Sequence, residues 1–372
     1  MQVLVREMQP IEKREVERLF ARSLGIIDRI VFQLSFEDAQ KSARKKSGGT
    51  LTAEYDGKIV GAVSMRIQFI QGRRIGYIDA LVADKDLRGR AIGKSLVDGA
   101  ISWLEEHRCE VIYATADRYN SPSWNTFIHR GFHLYEIPQQ LRDYGLDFLR
   151  LWLGEFHFLG FGTFFLRRDK EPEKPRETSE VWHLLAALLG VSLVWWIQLL
   201  RSGGPVTLAL ALFTVVAISL LAHELSQKLV ARWFRLETTF KAWGSGLLLG
   251  WILALVGGFF PAYGSTYVKQ LDWWYEPKRD KTGIIFAIGP IVSLALAITF
   301  WTLPTLAAST VPVSSAKVGY TTNLLIVIFN LMPIQAAGGF VWDGKKILMW
   351  NKTVWATLVI ATSALIMLDA LF

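Results

Sequence analysis

Hydrophobic and polar positions divide the chain into two unlike halves. In residues 1–168 apolar positions alternate with charged ones at the intervals of ordinary helices and strands. Beyond residue 180, long stretches contain no Asp, Glu, Lys, Arg or His, and they cover residues 184–200, 204–222, 242–268, 282–316, 318–342 and 353–368. Since about 20 apolar residues cross a bilayer core as a helix, the second half is predicted to span a membrane.

The spacing in the first half predicts helices that alternate with strands. Helices are expected at 11–24, 93–107 and 121–130, and strands at 75–84, at 110–116 and on both sides of the turn Asp56-Gly57 within 50–70. The helix at 93–107 has one apolar face, formed by Leu96, Val97, Ala100, Ile101 and Leu104. This order predicts an α/β domain with a mixed sheet.

The second half is predicted to be an all-α polytopic membrane domain with about five spanning helices and a re-entrant segment. The re-entrant prediction concerns residues 242–268, which are rich in glycine. If that stretch crossed fully, the basic loop Lys269 to Lys281 would lie outside, against the preference of basic residues for the cytoplasm. Irregular backbone is tolerated at membrane depth where protein covers it.

The charged residues between the halves predict domain limits and orientation. Residues 167–180 contain five basic and five acidic residues and two prolines, so the domains are expected at 1–168 and 181–372 with a linker at 169–180. Basic residues before the first span place the N-terminal domain in the cytoplasm of a multi-pass integral membrane protein. The same preference accounts for the net charge of +8 without a nucleic-acid partner.

Two further compositional features narrow the possibilities. Cys109 is the only cysteine, which excludes an internal disulfide and a cysteine-based zinc site. The polar N-terminus lacks the apolar core of a signal peptide, so none is predicted.

The turn before the helix at 93–107 carries the first motif. It reads Arg-Gly-Arg-Ala-Ile-Gly over 88–93, directly after a strand, and a turn at a helix N-terminus offers N–H groups and a positive dipole end to a pyrophosphate. It resembles the motif of the GNAT family of N-acetyltransferases, with Arg88 and Gly93 matching and Ala91 replacing the usual glycine. The segment NSPSWNTFIHRGF at 120–132 is similar to a later motif of that family through Asn120, Gly131 and Phe132.

The resemblance covers about residues 1–168 and implies acetyl-CoA as the cofactor. It implies that the strand backbone holds the pantetheine arm and that the turn holds the pyrophosphate, together with Asn120. The residues so implicated are Leu81, Val82, Ala83, Arg88, Gly89, Arg90, Ala91, Ile92, Gly93 and Lys94.

The catalytic groups of this domain are left open by the sequence. Asp79 is a candidate base, with the alternative that it is a solvent-facing strand residue. Phe127 stands where many relatives have a tyrosine acid, so that proton comes from water or from another group such as Tyr119, or the acid is missing.

The second motif lies in the apolar half. His223 and Glu224 interrupt an apolar run, and ionisable groups at that depth usually mark function. With Gly289-Pro290, Asn330…Pro333 and Asp343-Gly344 downstream, residues 181–352 resemble the site-2 protease family of intramembrane zinc metalloproteases. The resemblance implies His223 and Asp343 as metal ligands, Gln227 at the position of the second histidine, and Glu224 as the base.

Departures from that family weaken the zinc prediction. Gln227 offers only a neutral amide, and Ser293 replaces an asparagine, so zinc is expected to be held weakly. The second half is therefore read either as an active protease or as a related domain that binds a membrane protein without cutting it.

The function predicted for the chain is a membrane-tethered N-acetyltransferase acting on an amine acceptor, protein or small molecule, at the cytoplasmic face. The alternatives are a membrane zinc metalloprotease with a GNAT sensing domain, and a non-catalytic scaffold.

Overall fold

The computed structural model divides the chain into two compact units, one ending at Glu177 and the other beginning at Thr178. It describes residues 3–24, 26–45, 47–87, 90–118, 121–154, 163–170, 178–260, 263–268, 279–306, 313–334 and 341–371.

The first unit is built on a seven-stranded mixed sheet of order β1-β2-β3-β4-β5-β7-β6. All neighbouring strands are antiparallel except β4 and β5, which run parallel. The strands are β1 (Leu4–Glu7), β2 (Gly48–Tyr55), β3 (Lys58–Ile70), β4 (Arg73–Ala83), β5 (Val111–Asp117), β6 (His133–Leu134) and β7 (Thr163–Asp169). The mixed-sheet prediction is thus confirmed.

Helices cover this sheet. They are α1 (Lys13–Ser23), α2 (Ile26–Arg44), α3 (Ile92–Glu106), α4 (Ser121–Ile128), α5 (Ile137–Tyr144) and α6 (Phe148–Gly154). The predicted apolar face of α3 is buried against β2, β3 and β4, and it forms one core cluster with strand residues such as Val63 and Ile112. Burying a side chain of this size contributes roughly 1.5–3 kcal/mol. The single cysteine, Cys109, is also buried in this cluster.

Local turn chemistry fixes the β2–β3 hairpin and the start of α3. Asp56 and Gly57 both have positive φ, 51° and 71°, as a two-residue turn between twisted strands requires. Ala91, which precedes α3, also adopts the left-handed conformation, with φ 59°. This is a strained backbone for an alanine and an unstrained one for glycine.

In its described residues, the second unit consists of helices and one two-stranded ribbon. Its elements are α7 (Glu180–Arg201), α8 (Ala209–Trp233), β8 (Thr238–Ala242), α9 (Gly244–Leu255), β9 (Gly264–Val268), α10 (Arg279–Leu306), α11 (Val313–Leu331), α12 (Asp343–Trp350) and α13 (Lys352–Leu371). Helix α8 packs against α7, α10 and α11, so one face of it lies in the interior of the unit.

Four helices of the described residues, α7, α8, α10 and α13, are long and apolar enough to cross a membrane. The fifth expected span, at 318–335, corresponds to α11, which has Lys317 in its first turns and is not among those four. In its described residues, the expected re-entrant stretch contains the short helix α9 and the strand β9. Strands β8 and β9 pair on either side of α9, with Thr238 opposite Val268, and so bring the two ends of that stretch together.

The strain at Ala91 yields a test of the local fold. Ala91→Gly is expected to raise the free energy of unfolding of the first unit by about 1 kcal/mol, because glycine adopts this φ without the Cβ clash. Urea denaturation of the full-length protein in detergent measures the change, and hydrogen exchange at the α3 amides assigns it. Gly57→Ala, at φ 71° with no atom within 4 Å of the added Cβ, is the matched control and should lose a similar amount. A loss of stability in Ala91→Gly would contradict the strain argument.

Candidate functional site

The parallel strands β4 and β5 separate halfway along their length. They pair only where Ile75–Ile78 face Val111–Ala114. Beyond that point β5 continues with β7 to Asp117, and β4 continues with β3 to Ala83. Backbone groups of β4 that face β5 therefore have no strand partner over residues 79–83 among the described strands. The residues predicted to hold a pantetheine arm, Leu81, Val82 and Ala83, lie on this stretch.

The opening is adjacent to the N-terminus of α3. Ile92 packs against Gly61, which is the register partner of Ala83 at the end of β4. The first turn of a helix leaves the N–H groups of residues such as Ile92, Gly93 and Lys94 without carbonyl partners in the helix. No side chain caps this end, since the N-cap residue is Ala91.

Space for a ligand exists at this helix end. A Cβ built on Gly93 meets no atom within 4 Å. Lys94 and Arg90 are exposed beside it, and the Arg90 guanidinium lies 5.6 Å from the centre of the Tyr55 ring. Arg88 and Gly89, the first residues of the predicted turn, lie outside the described residues. The predicted set Arg90, Ala91, Ile92, Gly93 and Lys94 is thus brought to one place.

The later motif is described only in part. Asn120 and Tyr119 lie outside the described residues. Phe127 is 2% exposed and packs edge-on against Phe132 at 5.2 Å, so the position where relatives carry a tyrosine is occupied here by a core side chain. Arg130, which the sequence reading did not single out, joins the end of α4 to α3 by two bonds to Asp98 at 2.5 and 2.7 Å.

Asp79 lies at an irregularity of β4. The β3–β4 register shifts between Val63 and Met65, so that Asp79 and Ala80 together face Ser64, as in a β-bulge. The Asp79 side chain is 1% exposed and accepts bonds from two nitrogens of Arg66, Nε and Nη2, the latter at 2.7 Å. The alternative reading of Asp79 as a solvent-facing residue is therefore wrong.

Arg66 extends this ion pair to two further elements. Its Nη1 donates to Asp38 Oδ2 of α2 at 2.5 Å, and its Nη2 also donates to the carbonyl of Gly154 at the end of α6. Burial raises the pKa of Asp79, and the positive charge of Arg66 opposes that shift. Arg66 occupies both carboxylate oxygens of Asp79. The geometry therefore favours a role for Asp79 in positioning β4, and it disfavours a role as a catalytic base.

In the second unit three predicted metal ligands converge. His223 and Gln227 lie one turn apart on the buried face of α8, and Asp343 begins α12. Gln227 Nε2 donates to Asp343 Oδ2 at 2.7 Å and lies 3.3 Å from His223 Nε2, while His223 Nε2 is 3.8 Å from Asp343 Oδ2. On the other side of the ring, His223 Nδ1 lies 2.9 Å from Ser293 Oγ of α10.

Glu224 makes contacts apart from this group. It is 3% exposed, and its Oε2 accepts a bond from Thr266 Oγ1 of β9 at 2.6 Å. Tyr263 also hydrogen-bonds Glu224. The sequence reading missed Thr266 and Tyr263. Only their place in the glycine-rich stretch already assigned to the membrane core could have suggested them.

The donor set does not fit zinc. Structural and catalytic zinc sites use imidazole, thiolate and carboxylate ligands. Here one imidazole and one carboxylate are joined by an amide, and no group of three His, Cys, Asp or Glu side chains that could hold a metal occurs in the described part of the chain. Asp343 is also paired with Lys346, whose Nζ lies 2.9 Å from Oδ1.

Known proteins resemble parts of this chain. A protein of Methanocaldococcus jannaschii named as a zinc metalloprotease is 35% identical over 136 residues, which are 36% of this chain and 66% of the length of that relative, just under two thirds. Among solved structures, a GNAT-family acetyltransferase of Staphylococcus aureus Mu50 is 17% identical, with a TM-score of 0.34, and the match covers 45% of this chain and 99% of that one. A PaiA N-acetyltransferase of Thermoplasma acidophilum in complex with coenzyme A is 11% identical, with the same coverage and TM-score.

The family comparison concerns the first unit. Residues 14–132 match the acetyltransferase (GNAT) family. This range contains the parted strands β4 and β5, the bulge at Asp79 and the open N-terminus of α3. The N-terminal part of the chain is a GNAT-family acetyltransferase domain.

Proposed function

We propose that this chain is a membrane-tethered N-acetyltransferase that moves acetyl from acetyl-CoA to an amine at the cytoplasmic face. The observation that carries the proposal is the opening between β4 and β5 beside the uncapped start of α3, where Gly93 faces open space. A narrow strand-lined opening next to free helix N–H groups suits a long, extended cofactor with a diphosphate at one end.

Acetyl-CoA supplies an activated acetyl thioester to this site. The free backbone groups of Leu81 to Ala83 would hold the pantetheine arm as an added strand. The N–H groups at Ile92 to Lys94, with the positive end of the α3 dipole, would hold the diphosphate. Arg90 and Lys94 add positive charge, and Arg88, Gly89 and Asn120 complete the proposed cofactor site.

The reaction needs mainly proximity. The acceptor nitrogen attacks the thioester carbonyl carbon, the new C–N bond forms as the C–S bond breaks, the nitrogen loses a proton and the departing sulfur gains one. Holding the two reactants in line supplies much of the rate gain. With Phe127 in the core, the proton for sulfur is assigned to water or to Tyr119.

The second unit is proposed as the membrane anchor, with the first unit on the cytoplasmic side. Glu180 at the start of α7 forms an ion pair with Lys228 near the end of α8, and it accepts a bond from the Phe240 N–H of β8 at 2.6 Å. These ends therefore share one face of the unit. That face also carries Arg232 and Arg235, and basic residues favour the cytoplasmic side. The amine acceptor, a membrane protein or a small molecule, would be met on the cytoplasmic side.

Gly93 offers a direct test of the cofactor site. Gly93→Glu is expected to weaken coenzyme A binding to the full-length protein at least about tenfold, because a carboxylate would fill the space where the diphosphate is bound. Isothermal titration calorimetry measures the affinity. Since the added Cβ meets no protein atom within 4 Å, the unfolding temperature should not fall.

Ser102→Glu supplies the matched control. Ser102 is an exposed residue of the same helix, away from its N-terminus, so the same charge there should leave coenzyme A binding unchanged. Equal affinities for the two variants and the unaltered protein would refute the proposed cofactor site.

Asp79→Asn separates positioning from catalysis. Removing the carboxylate charge leaves the buried Arg66 short of a partner, and breaking such a pair costs about 3–5 kcal/mol of unfolding free energy. Urea denaturation should record this loss, whereas Asp38→Asn should cost less, because the Asp38 side chain is 41% exposed. If Asp79→Asn kept full stability and lost only acetyl transfer, Asp79 would be a base after all.

A further inference from the structure

At the buried centre of the second unit, an amide lies between two side chains that the sequence predicts as metal ligands. The imidazole of His223 and the carboxylate of Asp343 direct one acceptor atom each, Nε2 and Oδ2, toward the same point. The atom that meets both is Gln227 Nε2, at 3.3 Å from the first and 2.7 Å from the second. An amide nitrogen has two hydrogens, one for each acceptor.

The contact with Asp343 favours this orientation of the amide, which leaves Gln227 Oε1 buried without a hydrogen-bond partner among the described residues. The opposite orientation would put the amide oxygen 2.7 Å from a carboxylate oxygen, two acceptors in contact with no proton between them. With the nitrogen inward, His223 needs its proton on Nδ1, and Nδ1 lies 2.9 Å from the Ser293 hydroxyl, which can accept it. Nε2 is then the acceptor for Gln227.

The negative charge of Asp343 is balanced inside the protein. Lys346 Nζ is 2.9 Å from Asp343 Oδ1, the oxygen that does not contact Gln227, and it lies 3.7 Å from the centre of the Phe286 ring. Both charged side chains are nearly inaccessible, at 2% and 6% exposure. An ammonium therefore provides the charge balance that a divalent cation provides in a metal site.

The centre is also closed around these groups. His223 and Gln227 are each 1% exposed. Gly289 of α10 lies directly against them, because a Cβ there would come within 2.5 Å of His223 Nε2 and 2.6 Å of Gln227 Nε2. Helix α10 thus packs directly against the imidazole and the amide.

We infer that Gln227 replaces the metal ion, so that this centre is a metal-free hydrogen-bonded lock joining α8, α10 and α12. The amide satisfies the two lone pairs that a cation would bind, and the chain folds its membrane part without zinc. The inference is independent of the acetyltransferase proposal, because it concerns other residues and its test does not involve acetyl-CoA.

One substitution tests it in the full-length protein. Gln227→His places a second imidazole one turn from His223, which is the spacing of a zinc-binding pair. Detergent-purified protein is treated with EDTA, dialysed against zinc sulfate and then against metal-free buffer. Metal per chain is counted by mass spectrometry, and the unfolding temperature is measured with and without zinc. Ser226→His, an added histidine on the adjacent position of α8, is the control.

The expected results differ between the proteins. The unaltered chain and Ser226→His should retain no stoichiometric zinc and show no zinc-dependent change in unfolding temperature. Gln227→His should bind zinc at least about tenfold more tightly than the unaltered chain. Even a residue that only hydrogen-bonds a metal ligand contributes about tenfold or more to metal affinity, and a direct ligand should contribute no less. It should also unfold at a higher temperature with zinc than without it.

The unaltered protein keeps the inference falsifiable if Gln227→His does not fold. About one zinc per unaltered chain after dialysis, or an unfolding temperature that falls in EDTA and recovers with zinc, would overturn it. Gln227→Met removes both amide hydrogens at similar side-chain length, and it should lower the unfolding temperature equally in EDTA and in zinc. An unchanged unfolding temperature in this variant would also count against the lock.

Discussion

The first unit depends on the burial of one guanidinium group. Arg66 lies within a few per cent of full burial, and a buried cation must have its charge and its N–H groups satisfied by the protein. Its partners come from α2, from the bulge of β4 and from the end of α6. The bulge turns Asp79 inward to meet Arg66, and the same local irregularity lies next to the point where β4 leaves β5. The bulge that brings Asp79 to Arg66 therefore also lies at the point where the opening between β4 and β5 begins.

The second unit meets a similar demand by different means. An apolar surrounding makes each unpaired acceptor costly, and the centre around His223 contains several. In the first unit an ion pair is tied to neighbouring elements, whereas in the second an amide joins two acceptors and a lysine neutralises the acid. In both units a residue that the sequence marks as chemical has its functional atoms engaged by the protein itself. In the first unit, open space remains beside the motif, at Gly93.

Much of this architecture follows from the sequence, for identifiable reasons. Helix α3 was predictable because the face that its apolar spacing defines is the face that packs into the core. The Asp56-Gly57 turn was predictable because few residue types adopt positive φ. The convergence of His223 with Asp343, which are far apart in the chain, followed from family resemblance and not from spacing. Helix α2 and the helices α5 and α6 were missed, because short or mixed apolar runs carry no clear period.

The partners of the predicted site residues could not be read from the sequence. The pairing of Asp79 with Arg66 depends on the register of β3 against β4, and a shift of one residue would send either side chain to the other face. Lys346 follows Asp343 by three positions, yet only the helical start of α12 makes the two neighbours. Orientation within a packed structure, and not residue type, decides whether these groups bind ligands or one another.

The buried thiol of Cys109 has a practical consequence for how this protein can be observed. Burial raises the pKa of Cys109 to about 11, so that at neutral pH only about one thiol in ten thousand is the reactive thiolate. Burial and the raised pKa both slow the reaction of this thiol with external reagents. A single cysteine introduced at an exposed position is therefore expected to take a fluorophore or spin label in preference to Cys109, and its access to impermeant reagents would report on which side of the bilayer that position lies.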